Sequence, residues 1–462
     1  MIRRSQLRCV LYTLVILCLN YKITSSQVIA GGYGHTLAIC NDGSVKTWGS
    51  NNYGQLGDGT ITNSTLPTYA TGLSSIISVT GGSYHSFALK SDGRIWSWGG
   101  NLGGVLGVGN SNDTTLPIQI SSLTNIKAVS STGLHCLALR SDSTVWAWGP
   151  NPKGELGVGN TFSSNTPLNV NSLTNVIEIA AGNLHSLALK DDRTVMSWGW
   201  NLWGQLGDNT NIDRHSPVSV NGLAGITAIS AGDSHSLALR GDGTVWAWGN
   251  NSGGQIGDGT NTTRLIPVQV YNLNNITRIC AGGGHSLAIK SDSTVWAWGN
   301  NQYGELGTGN LTSSNHPLQV VGLTNVIAIA CGSAHSVALK ADGTLWTWGY
   351  NLDGQLGVGD TLNRMVPTQV NSLCTVMSVP TKDKEEMSVF IYPNPATSIF
   401  TVSTEGEKIK ELSVINVIGE ILLKEVVNEK ESNVDLSTLA KGMYFVQVQT
   451  EKGVSIKKLI KE

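Results

Sequence analysis

A step of fifty residues governs this chain. Histidine recurs at His35, His85, His135, His185, His235, His285 and His335. A Trp-Gly pair keeps the same step, with its tryptophan at Trp48, Trp98, Trp148, Trp198, Trp248, Trp298 and Trp348. Proline does so too, from Pro67 to Pro367. Seven copies without drift describe one supersecondary unit whose neighbours bury what it leaves exposed. The copies run from about Gln27 to Val379.

The fifth copy displays its own strands. Ile226 to Ser230 ends at Ala231-Gly232, and His235, Leu237 and Leu239 then share one face of a second strand. Gly241-Asp242-Gly243 makes a tight hairpin into a third strand, where Val245 and Ala247 oppose Trp246 and Trp248. A Gly- and Asn-rich loop leads to a short fourth strand, Pro267 to Val270, whose proline suits a sheet edge. Small or apolar residues occupy both faces of the inner strands, so each sheet needs a neighbour on both sides. Radial stacking supplies this and leaves only short edges. A buried indole removes roughly 200 Å² from water, worth about 5 kcal/mol, so Trp246 and Trp248 read as packing residues. The expected fold is all-β, a seven-bladed β-propeller with four-stranded blades. The first copy starts short, with only Gln27-Val28-Ile29 ahead of Ala30-Gly31. Cys374 to Val379 looks like an eighth copy of the first strand, placed to complete blade one.

The repeat Gly232-Asp233-Ser234-His235-Ser236-Leu237-Ala238-Leu239, then Asp242-Gly243, then Trp246 to Ile256, resembles the regulator-of-chromosome-condensation repeat family. The resemblance covers roughly three quarters of the chain and implies the seven-bladed ring. The founding member is a nucleotide exchange factor for a nuclear small GTPase and binds chromatin, and no insertion here resembles its nucleotide-displacing wedge. A plant ultraviolet photoreceptor of this fold uses tryptophan two residues before the repeat histidine. Those positions here are Tyr33, Ser83, Gly133, Asn183, Asp233, Gly283 and Ser333, so that role does not carry over. A secreted bacterial β-lactamase inhibitor similar to this family uses its propeller purely to bind protein.

The ends of the chain speak for export. Arg3, Arg4 and Arg8 precede an apolar run, Cys9 to Leu19, with small Thr24 and Ser26 ahead of Gln27. This reads as a cleaved signal peptide, or as an anchor that stays uncleaved. Cys18 lacks the preceding small residues of a lipidation site. From Thr381 the composition turns charged, with 11 Lys and 13 Asp or Glu in the last 82 residues. Six short strands are expected there: Val389–Tyr392, Ile399–Ser403, Leu412–Asn416, Ile421–Val427, Met443–Gln449 and Val454–Ile460. Tyr392-Pro393-Asn394-Pro395-Ala396, Val417-Ile418-Gly419-Glu420 and Leu439-Ala440-Lys441-Gly442-Met443-Tyr444-Phe445-Val446 resemble the type A sorting domain of type IX secretion in Bacteroidetes. That resemblance implies a small β-sandwich recognised by the type IX secretion machinery. The alternative is an adhesion-type sandwich with its own ligand. The expected organisation is a signal peptide over 1–26, the propeller over 27–380, a linker over 381–388 and the sorting domain over 389–462.

Net charge is −2 and charged residues make up 13% of the chain, so no nucleic-acid partner is expected. Of the cysteines beyond residue 26, Cys40, Cys136, Cys280, Cys331 and Cys374 read as buried small residues, with a Cys280–Cys331 bridge left open. The seven histidines stand around an axis about a sheet spacing apart, roughly 10 Å, too far to share a metal. A hydrogen-bonding role suits them better, and His215 and His316 read as surface residues. Asp92, Asp242 and Asp342 read as turn formers. Asp58, Asp208 and Asp258 lack the rest of a calcium ligand set. No catalytic constellation, metal or cofactor is expected.

Strand alternation sends the first-to-second turns and third-to-fourth loops to one face and the Asp-Gly hairpins to the other. Departures from the repeat collect on the first face: Tyr33, Tyr53, Tyr84, Trp200, Trp203, Tyr303 and Tyr350. Exposed aromatics anchor protein and sugar contacts, although loop aromatics also fold back onto their blades. The expectation is a secreted or surface-attached monomer whose propeller face binds an extracellular protein or glycan. The alternatives are an exchange factor or an extracellular hydrolase.

Overall fold

The computed structural model describes residues 27–371, 373–374, 376, 389–404, 408–416, 421–450 and 454–462. The expected signal peptide, the linker and the Val417–Glu420 motif lie outside them. The chain divides into two compact units at Val379/Pro380. Among the described residues no helix is long and apolar enough to cross a membrane.

The first unit carries seven four-stranded antiparallel sheets, each a meander in chain order. Blade five is typical: Ile226–Ala231, His235–Arg240, Val245–Gly249 and Arg264–Gln269 from the axis outward. The proline-bearing strand is the outer edge, where no partner needs the missing N–H. Each junction between blades holds its own apolar cluster. Between blades five and six, Leu237, Val245, Ala247 and Ile256 pack with Ile276, Ala288 and Trp298. The first tryptophan of the third strand behaves differently from the expectation. Trp248 is fully buried, whereas Trp246 is half-buried and its indole donates to the Thr244 hydroxyl.

Polar groups tie the blades together. Each buried histidine bonds a hydroxyl on the next blade: His35 to Ser86 at 2.9 Å, His185 to Ser236 at 3.0 Å, His235 to Ser286 at 2.9 Å. The hydroxyl of Ser86 donates onward to the Gln55 carbonyl, which also accepts the Trp98 indole. A hydroxyl already donating can only accept from histidine, so Nε2 carries the proton. Gly32 must be glycine because a Cβ there would lie 2.5 Å from the His35 ring nitrogen. Gly57, with φ of +72°, likewise lets the Trp98 indole pass where a Cβ would sit 2.7 Å from its nitrogen. Blade three departs from the pattern, with Cys136 in place of the serine. Ser131 supplies the missing hydroxyl, accepting from His85 at 2.8 Å and donating to the His135 carbonyl.

The ring closes between blades seven and one. His335 bonds Thr36 at 2.9 Å, and the Gln355 carbonyl accepts both Thr36 and the Trp48 indole. Val376 pairs with Cys40, the place that Ile76 takes opposite Lys90 in blade two. The inner strand of blade one is thus shared between the two ends of the propeller. A disulfide joins Cys40 to Cys374, with Cα atoms 5.7 Å apart. This corrects the reading of both as isolated buried residues; closure brings together positions that share no repeat register. Cys136, Cys280 and Cys331 remain thiols. The Cys331 thiol is pushed up by burial first and then by Cys280 beside it.

The second unit is a two-sheet β-sandwich. One sheet runs Val389–Tyr392, Ile399–Thr404, Glu431–Asp435; the other runs Ile421–Glu429, Ile409–Asn416, Gly442–Gln449, Val454–Lys461. Phe400, Val402, Leu412, Val414, Val434, Val446 and Leu459 fill the space between. Glu431–Asp435 was not among the expected strands. In the Tyr-Pro-Asn-Pro motif, Asn394 clamps the last strand, donating to the Lys458 carbonyl and accepting from the Ile460 N–H.

Candidate functional site

The two faces of the propeller differ in how faithfully they repeat. On the hairpin face every blade presents the same aspartate, and each accepts from the backbone N–H two residues on, as Asp42 does from Ser44 and Asp342 from Thr344. On the opposite face a rigid scaffold presents side chains that change from blade to blade.

That scaffold starts with asparagine. Asn51, Asn101, Asn151, Asn201, Asn251, Asn301 and Asn351 are fully buried at the base of the third-to-fourth loops. Asn201 donates to the carbonyls of Thr210 and Ile212 and accepts from the Leu206 N–H, closing the loop around itself. The side chain four residues on fixes the loop tip: Gln55 accepts from Tyr53 N–H, Gln205 from Trp203, Glu305 from Tyr303, Gln355 from Asp353. In blade two Val105 has no such acceptor, and Leu102–Gly104 winds a short 3-10 turn instead. The first-to-second turns are chained to one another around the axis, Tyr33 N–H donating to the Gly82 carbonyl and Ser83 N–H to that of Gly133.

Five of the expected aromatics gather into one arc. Tyr53 and Tyr84 have ring centroids 4.9 Å apart, Tyr33 lies 6.4 Å from Tyr84, and Tyr303 meets Tyr350 edge-on at 4.8 Å. The Tyr350 phenol is pushed up by burial and by Asp353, Tyr303 and Tyr33 around it, which joins the two groups. Tyr33, Tyr53 and Tyr84 are 56%, 45% and 39% exposed. Trp200 and Trp203 stand apart on blade four, and among the described residues no ring contact links them to the arc. Trp203 is exposed, whereas Trp200 is half-buried.

At the centre of this face lies a cavity of about 370 Å³. Tyr33, Ser83, Asn183, Asp233 and Ser333, all from the ring position two residues before the histidine, line it with Tyr84. Sequence reasoning passed over four of these five, because residues up to 300 positions apart meet only once the ring has closed. The signal was the irregularity of that ring position in an otherwise faithful repeat.

The histidines lie below this surface, neutral, their pKa values lowered to between about 3 and 4 chiefly by burial. Among the described residues no cluster of His, Cys, Asp or Glu is arranged to hold a metal. Asp208 and Asp258 are ion-paired with Arg214 and Arg264, and Asp58 bonds Thr60 and Asn51. Glu155 takes the place of the clamp glutamine, and one of its carboxyl oxygens has no partner. Burial pushes it up to about 7. The folded chain therefore holds this proton more tightly than the unfolded one, and stability falls as pH rises from about 4.5 to 7. Glu155→Gln is expected to raise the thermal midpoint at pH 8 by a few degrees, reflecting about 2 kcal/mol, and to raise it less at pH 6. Calorimetry at the two values checks this.

The family model for the RCC1-like domain matches residues 74–383, more than half of the chain. The chain belongs to the RCC1-like domain family. Models of the single regulator of chromosome condensation repeat match residues 42–89 and 27–55. The secretion system C-terminal sorting domain matches residues 390–462. The RCC1-like ring is similar to human WBSCR16, at 24% identity and a TM-score of 0.64 over 71% of this chain and 93% of that one. Prp20p from Saccharomyces cerevisiae matches at 24% and 0.63 over 82% and 92%. The yeast RCC1 (Prp20) structure solved with Kap60 matches at 23% and 0.65 over 87% and 96%. These likenesses show the fold. The RCC1-like domain and the type IX sorting domain together mark a protein exported to the medium or the cell surface, with a binding role.

Proposed function

We propose that the loop-bearing face of the propeller captures an extracellular protein or glycan without catalysing a reaction, and that the sorting domain engages the type IX machinery on the way out. The domain boundaries at 26, 380 and 388 belong to the same proposal. The observation that carries it is the contrast between faces. A scaffold repeated seven times holds tips that differ at nearly every blade: Tyr53, Gly103, Lys153, Trp203, Gly253, Tyr303 and Asp353. Function on rigid frameworks concentrates on such variable loops. Rigid tyrosines and tryptophans supply contact area at low entropic cost. Prp20p, which shares the fold, is described by its binding to Gsp1p and histones.

The test uses the purified propeller immobilised over spent medium and surface extract, with a glycan array in parallel. Tyr53→Ala/Tyr84→Ala and Trp203→Ala are expected to cut capture of the recovered ligand at least tenfold, as anchor residues do, with unchanged melting. Replacing Lys90 and Lys190 on the hairpin face should leave capture intact. Loss through the hairpin face instead, or indifference to both sets, would reject the assignment.

A further inference from the structure

We infer that the axial cavity is a receptor for one cationic side chain, lysine or arginine, presented by a protein partner, with Asp233 as its counter-charge and Tyr33 and Tyr84 as its aromatic wall. This rests on the reading of the loop-bearing face as the binding surface and narrows it to a chemistry.

Asp233 is the single charged residue lining the cavity. Its carboxylate makes no hydrogen bond or ion pair with any described residue, unlike the turn and loop aspartates Asp42, Asp142, Asp208, Asp258 and Asp360, each of which holds a hydroxyl, a backbone N–H or an arginine. It lies against the turn of blade six, where a Cβ on Gly283 would sit 3.0 Å from its Oδ2. The absence of a side chain at Gly283 keeps that approach open. Partly screened from water and without a partner, this acid gains from a cation that completes it. Burial accordingly raises its pKa to about 6. The other walls suit the same guest. Tyr33 and Tyr84 line the cavity, and aromatic rings attract a nearby cation. Asn183, Ser83 and Ser333 offer neutral oxygens to the remaining N–H groups. A cavity of about 370 Å³ admits one long side chain but not a folded segment.

The pH dependence follows from the groups around the carboxylate. The titratable groups lining the cavity besides Asp233 are the Tyr33 and Tyr84 phenols. The turn of blade six, Gly282 to Gly284, and Asn183 on blade four bring no charge. His185, His235 and His285 below the turns stay neutral down to about 4 or lower. Asp233 therefore loses its negative charge as pH falls from 7 to 5.

The experiment titrates the intact propeller with Nα-acetyl-lysine methylamide and Nα-acetyl-arginine methylamide, followed by the NMR signals of the Tyr33 and Tyr84 rings. The norleucine analogue and methyl glucoside serve as uncharged probes. The cationic probes are expected to bind at least tenfold more tightly than norleucine at pH 7, and about twofold more weakly at pH 6, where the ring is still folded, than at pH 7, following Asp233 ionisation. Asp233→Asn, isosteric and without native partners to lose, should abolish both differences without lowering the melting temperature. Equal binding of lysine and norleucine probes, retained cation preference in Asp233→Asn, or a sole response to methyl glucoside would overturn the inference. If Asp233→Asn leaves partner capture intact while Tyr53→Ala/Tyr84→Ala abolishes it, the cation receptor falls and the binding face stands. If neither variant affects capture, the face itself is wrong.

Discussion

Lowering the pH from 7 to 4.5 is expected to unfold the propeller in one steep transition that takes up several protons. The seven repeat histidines carry this effect. Each donates its Nε2–H to a hydroxyl on the next blade, and the Nδ1 atoms of His35, His135, His185, His235 and His335 are buried without any partner. A second proton would place a charge in a dry slot against the glycine of the turn, so burial holds these rings at about 3 to 4. In the unfolded chain they titrate near 6.5. Between those values the unfolded state binds protons that the folded state refuses, and stability drops as pH drops. Each ring contributes about 1.4 kcal/mol per pH unit, so seven amount to roughly 10 kcal/mol by pH 5.5, comparable with the whole stability of an ordinary domain. Asp233 and Glu155, whose pKa values are raised, act in the opposite sense but are only two groups. Tryptophan fluorescence and circular dichroism against pH, with proton uptake from calorimetry in buffers of different ionisation enthalpy, provide the measurement. A ring that survives below pH 4, or a transition taking up only one or two protons, would show that burial does not govern these histidines. His235→Gln, which keeps the Nε2-type donor, should remove one proton from the count.

Opening the Cys40–Cys374 bond is expected to lower propeller stability by about 4–5 kcal/mol, because it closes a loop of 334 residues. The bond fastens the place where blade one is assembled from both ends of the domain. Cys374→Ser, compared with the parent protein in guanidinium chloride with and without reductant, should show a lower midpoint that reductant no longer moves. Alkylation of the denatured, unreduced chain lacking residues 1–26 should label Cys136, Cys280 and Cys331 only. Labelling of five cysteines would remove the staple from the account. In its absence, His335–Thr36 and the Trp48 indole on Gln355 still close the ring, so blade one should loosen before its neighbours do.

The architecture was legible because the repeat states it. A strict fifty-residue step fixes the number of blades, and alternation in Ile226 to Trp248 fixes the strands. What stayed hidden depended on closure. Cys40 and Cys374 occupy unrelated positions of the repeat, so no period announces their meeting. Asp233 stood only as one of seven varied positions two residues before the repeat histidine until the turns were chained around the axis. Cys136 read as a harmless small residue, and only the structure reveals that Ser131 replaces its lost hydroxyl. The asparagines at the loop base repeat as faithfully as the histidines, yet a buried hub and a solvated loop residue look alike in sequence. Among the aromatics, sequence could name candidates but not sort them. Trp203 is exposed and Trp200 half-buried, three residues apart on one loop.

The clamp beneath six of the seven loop tips uses the tip's backbone N–H and ignores its side chain. A tyrosine, a tryptophan, an aspartate and a glycine all sit on it with the same geometry. Specificity in this protein is therefore separable from foldability: tip residues can be rewritten one blade at a time, in nature or at the bench, without asking the ring to learn a new shape.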